Sequence, residues 1–168
     1  NMSMEAAAQG AKLGHFEQLR CAREILLRES QSLKQLAGRL DDRFSAAVEL
    51  LYACRGSVIV SGMGKAGLVG QKIMATLAST GTRSHFLHPA EAIHGDLGRV
   101  HRDDLVLMLS QSGETEEVVR LLPSLAEFGV PILAITASAG STLGRAATVV
   151  LELGPMEEAC ALGLAPST

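Results

Sequence analysis

The 168-residue sequence is poor in cysteine and has neither a block of basic residues nor a long apolar run. Its three cysteines, Cys21, Cys54 and Cys160, lie far apart and form no C-x-x-C pair. That excludes a disulfide framework and a standard zinc site, and it suits a reducing cytoplasm. The cysteines read as small core residues. The formal net charge of −3, with no Lys/Arg cluster, argues against nucleic acid as the main partner and leaves room only for a small anion. The apolar runs are too short to cross a bilayer, and the opening NMSMEAAAQG lacks the basic and apolar regions of a signal peptide. No membrane partner is expected.

What is present is a chain that is 47% hydrophobic and 20% charged, the composition of one soluble domain with a real core. Apolar residues at helical spacing (Phe16, Leu19, Ile25, Leu26, Leu33, Leu36, Leu40) predict a long amphipathic helix over 13–40. A second helix over 43–53 follows, capped by Asp41 or Asp42 and ending near Gly56, which suits a left-handed C-terminal position. From 57 the pattern alternates strand and helix. Strands are predicted at 57–61, 84–87, 104–109, 131–136 and 148–153, and helices at 65–79, 115–128 and 141–146. The stretch HPAEAIHGDLG is expected to be a loop. Strands such as LVLML, apolar at every position, are buried on both faces, which is the habit of parallel sheets. The fold expected is therefore α/β: a doubly wound, mainly parallel five-stranded sheet of flavodoxin-like order, sandwiched by helices and preceded by N-terminal helices.

Two loops carry the candidate chemistry. In SVIVSGMGKAGLVG, β-branched residues run into Gly62, Gly64 and Gly67 and then into a helix, so the turn aims backbone N–H groups at an anion. The G-x-G-x-x-G spacing also matches a dinucleotide fingerprint, but that reading needs an acid at the end of the next strand, and the nearest, Glu91, lies beyond it in a loop. A magnesium-holding phosphate loop fails too, because Ala66 rather than a hydroxyl residue follows Lys65. Lys65 sits where its ammonium can neutralise a phosphate or a developing enolate oxygen, although most lysines are solvated surface residues. The second loop, SQSGET at 110–115, offers the hydroxyls of Ser110, Ser112 and Thr115 around Gly113 at the start of a helix. The plain alternative is that Ser112 or Thr115 caps that helix. In a flavodoxin-like order both loops open into one crevice at the carboxyl edge, which fits a phosphorylated small molecule. Glu114, Glu116 and Glu117 complement the macrodipole of the following helix, and one of them can face the crevice. His94 suits general acid/base work, whereas His88, His94 and Asp96 match no standard metal pattern, so no metal is expected.

These residues together resemble the sugar isomerase (SIS) domain, and within it the arabinose-5-phosphate isomerases. The resemblance is carried by GMGKAG at 62–67, ASTG at 78–81, HPAEAIHGDLG at 88–98, SQSGE at 110–114 and EACALGLAP at 158–166, and so covers nearly the whole chain. It departs mildly at Ala66, where the family usually has Ser, and at Ala90, where it usually has Gly. It implies interconversion of D-ribulose 5-phosphate and D-arabinose 5-phosphate through an enediol, with no cofactor, as in Kdo and lipopolysaccharide biosynthesis. It implies catalytic roles for Lys65, Glu117, Glu158 and His94, and places Ser61, Ser110, Ser112 and Thr115 near the phosphate, with Gly62, Gly64 and Gly113 in the turns. A homo-oligomer, dimer or tetramer, is expected.

The resemblance also sets the expected organisation: one SIS domain over 1–168, with a helical segment at 1–56 and the α/β core at 57–168. The family's domain continues into further helices and an S-H-P-G-G segment with another active-site histidine, and many members carry paired CBS domains. The C-terminal part of that domain is expected to be absent here, and the sheet face it would cover is expected to be covered by the long N-terminal helix and a partner subunit. SIS domains also occur in regulators that bind a phosphosugar without converting it, which is the alternative function.

Overall fold

A computed structural model describes residues 14–155. The chain divides into two compact units, Asn1–Leu40 with Pro155–Thr168, and Asp41–Gly154. In the first unit α1 spans His15–Arg39. Glu17 accepts a hydrogen bond from the Gly14 amide (3.0 Å) at its start, and Arg39 near its end donates to the Pro155 carbonyl (3.1 Å). Leu26, Leu27 and Leu33 stand exposed along it. No helix among the described residues is long and apolar enough to cross a membrane.

The second unit begins with α2 (Asp42–Ala53), whose cap is Asp41: its carboxylate accepts from the Arg43 amide at 3.0 Å. The expected left-handed glycine at the end of α2 is not there. The C-cap is Cys54 in an extended conformation, and Gly56 is not among the glycines with positive φ. Gly56 is required for space, since a Cβ would sit 2.6 Å from the Asp103 carbonyl and on the Asp104 carboxylate.

Then come β1 (Val58–Gly62), α3 (Gly64–Ser79), β2 (Ser84–Phe86), α4 (Pro89–Ile93), a 3-10 turn (Asp96–Arg99), β3 (Leu105–Leu109), α5 (Glu116–Phe128), β4 (Ile132–Thr136), α6 (Thr142–Ala146) and β5 (Val149–Glu152). The five strands are all parallel in the order β2-β1-β3-β4-β5, the flavodoxin-like order expected. The HPAEAIHGDLG stretch differs from expectation by forming α4 and the 3-10 turn. Pro89 at the first helical position lacks the amide that would have no intrahelical partner anyway, and so starts a short helix without cost.

Strand alternation splits the core in two. Val58, Val60, Leu105, Leu107 and Leu109 face α2 and α3, where Ala47, Ile73, Met74 and Leu77 meet them. Ile59, Val106 and Met108 face the other way, onto Ala92 of α4, Val118, Leu121 and Leu125 of α5, and Leu143 of α6. Both faces being covered explains why these strands read as continuous apolar runs. On the sheet face beside β5, α2 packs against β5. Arg43 of α2 fastens that contact through an ion pair with Glu152 of β5 at 3.2 Å.

Candidate active site

The site is built where the strand order reverses. Gly62 at the end of β1 pairs with Leu109 at the end of β3, so Met63 and Ser110 leave the sheet side by side. The β1 loop turns onto one face as α3, and the β3 loop turns onto the other as α5. A parallel doubly wound sheet opens its binding crevice at this point.

In the first loop Gly64 is the first residue of α3, one earlier than expected, and has φ +55°, with open space where a Cβ would stand. The helix makes its first intrahelical bond from the Gly67 amide to the Met63 carbonyl at 3.2 Å. The amides ahead of it belong to the first turn, which helix geometry leaves without intrahelical acceptors and which carries the positive end of the macrodipole. Lys65 is exposed on this turn. Ser61, expected near the phosphate, is fully buried, and its hydroxyl donates to the Leu87 carbonyl at 2.8 Å, tying β1 to the residue that follows β2.

The second loop is closely tied. The Ser110 hydroxyl, almost fully buried, accepts from the Gly113 amide at 3.1 Å and pairs with the Thr115 hydroxyl at 2.9 Å. Ser112 accepts from the Glu114 amide at 3.1 Å. Thr115 does occupy the N-cap position of α5, yet its side chain makes no capping bond, because it is turned to Ser110. The first intrahelical bond runs from the Val119 amide to the Thr115 carbonyl at 2.9 Å, so the amides of the turn before it stand at the crevice with the helix dipole behind them. Gly113 has φ +65°, and a Cβ there would land on the Ser141 side chain. Glycine is therefore required twice over.

The three acids near α5 separate. Glu116 is exposed and lies 3.9 Å from Arg120 one turn on. Glu114 lies outside α5 and serves α6 instead: its carboxylate accepts from the Thr142 amide at 2.7 Å, and that hydrogen bond holds its pKa below the ordinary value. Glu117 is half-buried in the first turn of α5. His94 ends α4 as its exposed C-cap. Ile93 beside it and Met63 of the first loop both pack against the core cluster on this side of the sheet. Glu158 lies outside the described residues. Among the described residues no group of three or more His, Cys, Asp and Glu side chains is arranged to hold a metal ion.

Two side-chain environments escape the sequence. His88, the N-cap residue of α4, has its Nδ1 buried without a hydrogen-bond partner among the described residues, and its ring lies edge-on to Phe86, with centroids 6.5 Å apart. The first motif residue of HPAEAIHGDLG was the available signal. The other feature is the brace from Thr136, Ser141 and Thr142 behind the second loop, for which the sequence offers no local sign.

A doubly wound parallel sheet with two glycine-bearing strand-to-helix loops at its switch point is the class of protein these features define. The SIS domain model matches residues 50–168, and the chain belongs to the SIS domain family. It is 50% identical over 147 residues to arabinose 5-phosphate isomerase KpsF of Escherichia coli O6:H1, covering 87% of this chain and 45% of that protein. Arabinose 5-phosphate isomerase KdsD of Pseudomonas aeruginosa is 50% identical over 140 residues, covering 83% of this chain and 43% of that one. The chain thus spans less than half the length of these curated relatives. Among solved structures, an E. coli CFT073 protein in complex with arabinose 5-phosphate superposes with a TM-score of 0.88 at 36% identity, covering 92% of this chain and 82% of that chain.

Proposed function

We propose that this chain is the sugar-isomerase part of an aldose–ketose isomerase that interconverts D-ribulose 5-phosphate and D-arabinose 5-phosphate through an enediol. The observation that supports the reading is the pairing of Gly62 with Leu109, from which the loop bearing Lys65 and the 110–115 loop leave the sheet side by side. The two helix N-termini and the loop amides suit a phosphate dianion. The rest of the sugar then lies among Lys65, Glu117 and His94.

The reaction moves one proton between adjacent carbons. A base takes the proton from C1 of the ketose, the C1–C2 double bond of the enediol forms, and the proton returns to C2 while the hydroxyl proton passes from O1 to O2. Oxidation levels exchange within the substrate, so the proposal needs no redox cofactor. A carboxylate or imidazole, Glu117, Glu158 or His94, serves as the base, and the Lys65 ammonium stabilises the developing enediolate oxygen. The proposal treats 57–168 as the core of one SIS domain with 1–56 as its helical lead. It carries with it a homo-oligomer, dimer or tetramer, and a cytoplasmic setting.

The test is turnover of D-ribulose 5-phosphate by the protein in its natural length, with the aldose followed by NMR. Appearance of arabinose 5-phosphate is expected. Saturable binding without turnover would replace the enzyme by a phosphosugar-binding regulator, and absence of binding would remove both readings.

A further inference from the structure

We infer that Glu114 is a positioning residue for the phosphate loop: its carboxylate clamps the 110–115 loop to the amino end of α6 and so keeps the loop amides turned towards the crevice. The inference rests on the phosphate-binding reading of this loop.

The loop's carbonyls are bound from behind. The Gln111 carbonyl accepts from the Ala137 amide at 2.9 Å and from the Thr136 hydroxyl at 3.2 Å, and the Gly113 carbonyl accepts from the Leu143 amide at 3.0 Å. A trans peptide is planar, so a carbonyl and the amide that follows it point in opposite directions. Anchoring the Gln111 and Gly113 carbonyls on the segment between β4 and α6 therefore turns the Ser112 and Glu114 amides away from it. The Glu114 amide meets the Ser112 hydroxyl on that side.

The anchor is only as firm as α6, which has five residues. A helix this short has little stability of its own, because its nucleus fixes several residues for few hydrogen bonds. Ser141 accepts from the Gly144 amide at 3.1 Å, and Arg145 holds Thr142 and the Gly140 carbonyl from the other side. Glu114 completes this set from the loop itself, and its 2.7 Å bond to the Thr142 amide is a charge-assisted one. One residue on, the Leu143 amide is the donor that holds Gly113. Without the carboxylate the start of α6 frays, and the Leu143 anchor goes with it. Glu114 touches no substrate in this account and acts through the loop.

The experiment compares Glu114→Ala and Glu114→Gln in the protein of natural length, with kcat and KM measured on the sugar phosphate. Glu114→Ala is expected to raise KM about tenfold with kcat within about twofold, the mark of lost uniform binding. Glu114→Gln keeps an acceptor oxygen and is expected to recover most of the loss. A second readout needs no ligand: the Thr142 and Leu143 amides are expected to exchange with solvent faster in the Ala variant than in the Gln variant. A parental KM in both variants, a fall in kcat alone, or unchanged exchange would each overturn the inference. A parent protein that neither binds nor converts the sugar phosphate would instead sink the phosphate-site reading, while the exchange data still report on the clamp.

Discussion

Replacing Gly113 by alanine separates two costs that the structure places at one residue. The first is conformational. At φ +65° a Cβ crowds the following carbonyl, a cost of about 1–2 kcal/mol. The second is collision: the new Cβ would stand 2.5 Å from the Ser141 Cβ and 2.9 Å from the Thr136 hydroxyl, besides meeting the Ser141 hydroxyl. Ser141 is buried and cannot give way freely, since its hydroxyl donates to the Ser138 carbonyl at 2.8 Å and caps the Gly144 amide at 3.1 Å. Moving it adds a lost cap of about 1 kcal/mol and an overpacking strain of about 1–3 kcal/mol. The sum is about 3–6 kcal/mol, a large share of the roughly 5–15 kcal/mol of a typical domain. Gly64 is the control. It has φ +55° but open space around a Cβ, so Gly64→Ala is expected to cost only about 1–2 kcal/mol. Urea unfolding of both variants gives the two midpoints. Losses within about 0.5 kcal/mol of each other would refute the claim that the loop is packed against Ser141.

Lys65→Ala is expected to lower kcat by about 10²-fold or more if its ammonium faces the enediolate, with stability within about 0.5 kcal/mol of the parent because the side chain is exposed. Parental turnover would take Lys65 out of the mechanism. Acidification is expected to lower stability in two stages. Burial of the His85 ring, helped by nearby Arg99, depresses its pKa, so the unfolded chain takes up that proton first as pH falls below about 6.5. Glu114, held down by the Thr142 amide, Glu152 by the Ala139 amide and Arg43, and Asp41 by Arg43, follow below about pH 4.5. In each case the folded pKa is depressed, so the stabilisation exists above the unfolded value and is lost as pH falls through the folded one. Urea midpoints from pH 8 to 3 should show both stages, with His85→Gln removing only the upper one; a midpoint that rises on acidification would refute the assignment.

The fold was legible because its signals are local. The LVLML strand is apolar at every position since both faces of β3 are covered, and the strand–turn–helix punctuation at Gly62–Gly64 and at Ser110–Thr115 is written in neighbouring residues. Errors arose where a residue's role depends on something distant in sequence. Gly56 looked like a helix terminator, but the Asp103 carbonyl is what demands it. Thr115 looked able to cap α5, but Ser110 engages it.

The sequence by itself determined the alternation of strand and helix, the two glycine-bearing turns and the short set of residues able to carry the chemistry, because periodicity and turn propensity act over a few residues. What each of those side chains meets was decided only by the tertiary structure. Glu114, Glu116 and Glu117 are near neighbours in sequence and equivalent as carboxylates. The packing of α6 behind the loop turns the first into a brace, and the helical phase of α5 leaves the second in solvent with Arg120 and the third half-buried. Side-chain direction depends on which backbone groups from elsewhere in the chain reach each carboxylate first, and that is settled only when the sheet has assembled.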